Sequence, residues 1–301
     1  MTDRYVLEIE GLEKRFGDKK VLRGLNLKVP EKKVFGFVGR NGAGKTTTMK
    51  LVLGLMTPDK GEIRVAGEKV KYGNNKTNKY IGYLPDVPEY YSFMTPKEYL
   101  VFCGEITGMD KKEISPRSEE MLKLVGLGEE KHRIKGFSRG MKQRLGIAQA
   151  LLARPKLLIC DEPTSALDPI GRKEILEILV AAKEETTIIF STHILSDVEH
   201  ICDEMALLNE GKIVMQGSIE EVKNRHRDNA FEIRLERKAD AGKLLEAFGM
   251  ERKSEDRVIL KDRSMLPKLL KFLADSGMPF VSMEKQEVTL EDIFIDAIGD
   301  K

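Results

Sequence analysis

Gly39-Arg-Asn-Gly-Ala-Gly-Lys-Thr46 follows the apolar run Val34-Phe-Gly-Phe-Val38 and opens a helical pattern over residues 46–55. The spacing Gly-x-x-x-x-Gly-Lys-Thr, set between a strand and a helix, is that of a phosphate-binding loop. Each residue type has a physical task. Gly39, Gly42 and Gly44 let the backbone fold tightly, so that successive N–H groups through Arg40, Asn41 and Ala43 point inward at phosphate oxygens. The helix behind them turns its positive end toward the same anion. Lys45 reaches the outer phosphates, Thr46 offers a hydroxyl to Mg²⁺, and Thr47 completes the set on the nucleotide. A dinucleotide site is a poorer fit, because the glycines fall as Gly-x-x-Gly-x-Gly rather than Gly-x-Gly-x-x-Gly. The expected ligand is a nucleoside triphosphate.

Such a loop needs an acid at the end of a second buried strand. Leu157-Leu-Ile-Cys-Asp161-Glu162 supplies a pair. Asp161 is placed to hold Mg²⁺, directly or through water. Glu162, one residue on, is placed to polarise a water for attack on the γ-phosphate. A pair of acids capping a strand is a common surface feature by itself, and it is the preceding loop that gives this pair its meaning.

The rest of the chain bounds what such a site serves. The 301 residues suggest about two domains. Fifty-one basic against 49 acidic residues leave a net charge of +2, which argues against a protein whose main task is gripping nucleic acid. The three cysteines, Cys103, Cys160 and Cys202, form no Cys-x-x-Cys pair, which excludes a disulfide scaffold or zinc ribbon and suits a reducing compartment. No apolar run approaches the roughly 20 residues that span a bilayer. The opening Met1-Thr-Asp-Arg-Tyr-Val-Leu-Glu-Ile-Glu10 alternates like a strand and carries no secretory segment. Any contact with a membrane is expected through a partner.

Strands are predicted at 5–10, 34–38, 63–65, 81–84, 157–160, 187–191 and 204–208, with helices at 46–55, 139–153 and 172–182. The continuously apolar runs at 34–38 and 157–160 suit strands buried on both faces of a largely parallel sheet. This alternation reads as an α/β layered fold. From about 96 to 135 the pattern is helical without strands, and with the next helix it makes an inserted helical subdomain at about 96–150. The polar run Asn224-Arg-His-Arg-Asp-Asn229 reads as a linker between a first domain, 1–225, and a second, 226–301. Strands at 230–235, 258–260 and 280–284 and helices at 239–248, 264–274 and 289–298 make that second domain a small α+β unit.

Three further stretches stand in order: Phe137-Ser-Arg-Gly-Met-Lys-Gln-Arg-Leu145, Pro163-Thr-Ser-Ala-Leu-Asp-Pro169 and Thr187-Ile-Ile-Phe-Ser-Thr-His193. With the two motifs above, the chain over about 4–220 resembles the ATP-binding cassette (ABC) ATPases. The resemblance implies a P-loop NTPase cassette with a helical subdomain, binding ATP and Mg²⁺. Residues 137–141 would be the signature loop, 165–168 the D-loop and His193 the switch histidine that contacts the γ-phosphate and holds the attacking water. It further implies two cassettes packed head to tail, as a homodimer or a pair of similar cassettes. The signature of one then faces the phosphates of the other, with Ser138 donating its hydroxyl and Gly140 allowing close approach. Phe16, 29 residues before Lys45, matches the aromatic that stacks on adenine. Taken without the family, Phe16 is more readily a partly buried aromatic after the first strand, Ser138 a helix cap and His193 an ordinary surface or core histidine.

Two departures bear on detail. Where the family offers a glutamine, Tyr83-Leu-Pro-Asp86 offers a shorter carboxylate, which is still able to coordinate Mg²⁺ or water. The signature, Phe-Ser-Arg-Gly-Met, is similar to the branch serving exporters of drugs, antibiotics, lipids or peptides. The tail Val288-Thr-Leu-Glu-Asp-Ile-Phe294 resembles the end of the accessory domain of that branch. Seven aromatics lie between Tyr80 and Phe102, among them five of the seven tyrosines. They read either as the core of the helical insert or as a groove for a helix of a membrane permease. The implied protein is an ATP-hydrolysing subunit on the cytoplasmic face of the cell membrane, energising a separate permease. The alternative is a soluble cassette of translation or DNA maintenance. Translation types carry two cassettes per chain, repair types need a long coiled coil between their motifs, and neutral charge disfavours either. A GTPase would want Asn-Lys-x-Asp, which Asn75-Lys-Thr-Asn78 misses at its last position.

Overall fold

A computed structural model describes residues 5–74, 76–225, 230–285 and 289–299. The chain forms two compact units, Met1–Ile219 and Glu220–Lys301. In chain order the first contains β1 (Tyr5–Phe16), β2 (Lys19–Pro30), β3 (Val34–Gly39), α1 (Lys45–Val52), β4 (Lys60–Val65), β5 (Glu68–Lys69) and β6 (Ile81–Leu84). There follow α2 (Pro96–Ile106), α3 (Lys111–Leu124), α4 (Arg139–Leu151), β7 (Leu157–Asp161), α5 (Pro169–Ala182), β8 (Thr187–Thr192), α6 (Leu195–Ile201), β9 (Glu204–Asn209) and β10 (Lys212–Ser218).

The apolar runs become the centre of a six-stranded sheet ordered β10-β9-β3-β8-β7-β6. All its pairings are parallel except β9 with β10. Every residue of β3, β7 and β8 is buried, as continuous apolar strands covered on both faces must be. The largely parallel sheet expected from sequence is one of two among the described residues of the first unit. The strands expected at 5–10 and 63–65 belong to a separate antiparallel sheet, β2-β1-β4-β5. Its longest partner, β2, was not predicted. Leu22, Leu25, Leu27 and Val29 are its buried residues, and the left-handed Gly24 breaks their alternation where β1 and β2 slip register. One core cluster joins the inner faces of both sheets around α1.

The helical insert begins with a capping box. Thr95 accepts from the Glu98 N–H, the Glu98 carboxylate accepts from the Thr95 N–H, and Pro96 starts α2. Arg117 of α3 is 2% exposed and fastens the insert to the sheet layer. Its guanidinium donates to the carbonyl of Leu151 at 3.1 Å, at the end of α4, and pairs with Glu185 at 2.7 Å and Glu120 at 2.9 Å. A cation at a helix C-terminus also complements the helix dipole.

Helix α7 (Ile219–Arg225) runs into the stretch expected to be a linker. Its acidic first turn and basic last turn suit the dipole, so Asn224 and Arg225 are helical rather than extended. The remaining linker residues, 226–229, lie outside the described residues, as do Asn75 and Val288. The second unit is built from β11 (Phe231–Leu235), α8 (Asp240–Phe248), β12 (Glu251–Arg252), β13 (Arg257–Leu260), α9 (Leu266–Ser276), β14 (Phe280–Lys285) and α10 (Leu290–Gly299). Its antiparallel sheet, ordered β12-β13-β11-β14, shares a core with α8 and α9 centred on Ile233, Leu244, Val258 and Leu269. Helices on an antiparallel sheet give an α+β unit.

Candidate functional site

The loop after β3 forms the turn its glycines permit. Gly42 and Gly44 take φ of 81° and 115°, a region other residues enter at a cost. A side chain at Gly39 would place its Cβ 2.6 Å from the carbonyl oxygen of Leu208, so the loop leaves the sheet where only glycine fits. Helix α1 then starts at Lys45 with no side-chain cap and no acidic residue in its first turn, which leaves its N–H groups and positive end for an anion.

A cavity of about 590 Å³ opens over this loop. Arg40, Asn41, Gly42, Gly44, Lys45, Thr46 and Thr47 form its floor, Phe16 and Asp86 stand at its walls, and Glu162 enters from β7. Ala43 is buried within the loop and Gly39 lies beneath it. Two further wall residues, Lys19 and Val21, were not foreseen. Both lie on β2, and the pairing of Phe16 with Lys19 across the hairpin brings them there. The local signal was the short turn after Phe16. Phe16 is 45% exposed, with the Lys14 ammonium 5.7 Å from its ring centre. Lys14 is itself held by Asp59 at 3.2 Å and by the Thr57 carbonyl at 2.6 Å.

Lys45 is 6% exposed, donates to the Gly39 carbonyl at 2.7 Å and stands 3.1 Å from Glu162 Oε1. That oxygen is buried and takes no hydrogen bond among the described residues, and the ammonium offsets its charge. The other carboxylate oxygen, Oε2, lies 2.9 Å from His193 Nδ1. The Glu162 backbone takes φ of 50° and is fixed by its N–H, which donates to both the carbonyl and the hydroxyl of Ser191 at 3.1 Å. A left-handed non-glycine residue held this firmly is a place where strain serves a site.

Asp161, 3% exposed, lies behind the cavity and accepts from the Ser191 hydroxyl at 2.5 Å. Its negative charge, after burial, is among the causes that lift the neighbouring Tyr83 phenol to about 12. Asp86 pairs with Arg139 at 3.4 Å. Burial nevertheless raises its carboxyl above the usual range; Arg139 pulls it down, while Asp161 and Glu162 push it up. Ser138 and Gly140 do not line this cavity. They sit at the start of α4, where Ser138 Oγ accepts from the Met141 N–H at 3.2 Å. The arrangement can bind a polyphosphate through backbone and lysine, and can deprotonate or orient a nucleophile through a paired carboxylate and imidazole.

The seven aromatics divide three ways. Tyr80 and Tyr83 pack on the main sheet core, not in the helical insert. Tyr90 and Tyr99 meet edge to face at 5.1 Å, and their hydroxyls donate to the Lys142 carbonyl and to Gln149. Tyr91 contacts Phe102 at 5.4 Å and Phe93 at 6.0 Å, and Tyr91 and Phe93 stay more than half exposed. Among the described residues no helix is long and apolar enough to cross a membrane.

The ABC transporter family model matches residues 22–165, and the model for the C-terminal domain of DrrA1-3-like ATP-binding proteins matches 217–298. Over 304 residues the chain is 37% identical to an uncharacterized ABC transporter ATP-binding protein of Bacillus subtilis, YxlF, covering 97% of this chain and 99% of that one. It is 36% identical to the bacitracin transport ATP-binding protein BcrA of Bacillus licheniformis over 302 residues, covering 98% and 97%. Among solved structures, CbiO1 of Clostridium perfringens, part of the ABC transporter complex cbiONQ, superposes with a TM-score of 0.68 at 30% identity, over 74% of this chain and 92% of that one. An ATP-binding subunit of an ABC transporter superposes with 0.65 at 30% identity, over 73% and 93%.

Proposed function

The chain belongs to the ATP-binding proteins of ABC transporters, which hydrolyse ATP to power a membrane transporter, and from that premise we propose that it drives export from a nucleotide site completed by a second cassette. The observation that carries this reading is the Lys45–Glu162–His193 chain at the mouth of the phosphate loop. The loop N–H groups and Lys45 bind the β- and γ-phosphates, and Phe16 stacks on the adenine. Glu162 accepts a proton from the attacking water, and His193 orients the carboxylate and the γ-phosphate. Thr46, exposed in the cavity, and Asp161, buried behind it, offer hard oxygen donors that fit Mg²⁺. That ion, when bound, neutralises charge on the phosphate oxygens. Asp86 lines the same cavity and extends this acidic wall.

A second copy, or a similar cassette, is the dimer partner. Ser138 and Gly140 lie at a helix N-terminus outside their own cavity, an arrangement that supports a signature acting on a neighbour's γ-phosphate. An integral-membrane permease is the second partner, and the exposed Tyr91 and Phe93 support a docking face for it. Likeness to the bacitracin transport protein supports an exporter, placed on the inner face of the cell membrane. Titration with a fluorescent ATP analogue tests the cradle. Lys45→Ala weakens affinity at least about tenfold, about 1.4 kcal/mol; affinity equal to that of the parent contradicts the assignment.

A further inference from the structure

Asp197 is 1% exposed and titratable, and no step above uses it. It lies in the first turn of α6, four residues after His193. One carboxylate oxygen accepts from the Thr164 hydroxyl at 2.7 Å and the other from Arg172 Nε at 2.5 Å. Arg172 spans further, donating through its second nitrogen to the Ser196 hydroxyl at 2.8 Å. Thr164 is 2% exposed and lies two residues after Glu162, at the head of the turn that ends in the Asp168 cap of α5.

These contacts close a ring. On one side Glu162 touches His193 directly, at 2.9 Å. On the other, the backbone behind Glu162 is joined to the backbone behind His193 through Thr164 and Asp197. β7 and β8 are neighbouring parallel strands whose last paired residues are Asp161 and Ser191, and the Glu162 N–H still reaches across to Ser191. β8 runs one residue further, Thr192 pairing with Val38 of β3, and the Glu162 and His193 side chains stand just past these last pairings. A buried carboxylate is costly to desolvate unless paired and hydrogen-bonded, and here one group meets both demands while joining the two loops.

We propose that Asp197 is a positioning residue for ATP hydrolysis, holding the Glu162 and His193 loops at their working separation through Thr164 and Arg172. The proposal rests on the reading of Glu162 and His193 given above. It requires that loosening the ring slow the chemical step and leave nucleotide binding, which depends on the loop after β3, as it was. Displacement of reacting groups by about 1 Å costs up to about a hundredfold in rate.

The test compares Thr164→Val, Thr164→Ala and Thr164→Ser with the parent and with Glu162→Gln, all in the full chain. Steady-state hydrolysis, ATP-analogue affinity and Tm are measured for each. Valine keeps the volume and removes the hydroxyl; alanine serves if valine does not fold. The expected result is a kcat about tenfold or more below the parent for the valine or alanine variant, unchanged nucleotide affinity, and recovery with serine. Asp197→Asn is expected to lower kcat in the same way. A valine variant with parental kcat, beside an inactive Glu162→Gln, overturns the positioning role and leaves the Glu162 assignment standing. Serine and valine variants equally slow also overturn it, because packing alone would then account for the loss. An active Glu162→Gln overturns the reading on which the proposal rests.

Discussion

At the scale of single residues, Ser138 separates a structural from a functional part most cleanly. Its hydroxyl accepts from Met141, the ordinary work of a helix cap. Removing a cap costs about 1 kcal/mol, or about 2–4 °C of Tm in a unit of this size. Ser138→Asp keeps an acceptor at the cap and brings a carboxylate to the helix end proposed to face a γ-phosphate. It should therefore keep the parental Tm and lose ATP turnover, while Ser138→Ala loses both a few degrees and the turnover. Turnover that follows Tm in both variants would reduce Ser138 to its capping role. The residues legible in the sequence were those whose chemistry is local. The phosphate loop and the Asp161–Glu162 pair are contiguous motifs, and strand or helix context alone gives them meaning. Lys19 and Asp197 were invisible because a hairpin pairing and a buried network bring them into play.

At the scale of elements, the insert and the sheet layer meet through Arg117. Glu185 carries one of its charge-assisted bonds, and the Arg117 hydrogen bond holds the Glu185 carboxyl below its ordinary range. A carboxyl whose folded value is depressed adds stability above its unfolded value, about 4.3, and loses it as pH falls through the folded value. Glu185 is about half exposed, so solvent screening keeps the contribution small, up to about 1 kcal/mol. Glu185→Gln should lower Tm slightly at pH 7, with a gap that closes as pH falls through the carboxylate range. Thermal melts of both proteins across that range check it, and a gap independent of pH would mean that the loss is one of packing. The parallel sheet was legible because its strands are buried on both faces and read as unbroken apolar runs. Two strands were not: β2, in the antiparallel sheet, alternates only between its irregularities, and β10, at the edge of the six-stranded sheet, has no fully buried residue.

At the scale of the whole molecule, the chain holds a catalytic unit and a small α+β unit, and each has its own core. Length and helical patterning foretold two such parts, although the division falls at Ile219 and Glu220, a few residues before the expected linker. The alternation of period-2 and helical patterns in residues 231–299 made the second unit readable as α+β; its work is not written in any chemistry-bearing motif. In the proposed mechanism, ATP bound at one cavity is hydrolysed by Glu162 once a second copy supplies Ser138 and Gly140. Glu162→Gln tests it in one experiment, by gel filtration of the purified chain with and without ATP and by counting phosphate released per site. The expected result is an ATP-dependent dimer that retains its nucleotide and releases almost no phosphate. A monomer in saturating ATP, or hydrolysis at the parental rate, would contradict it.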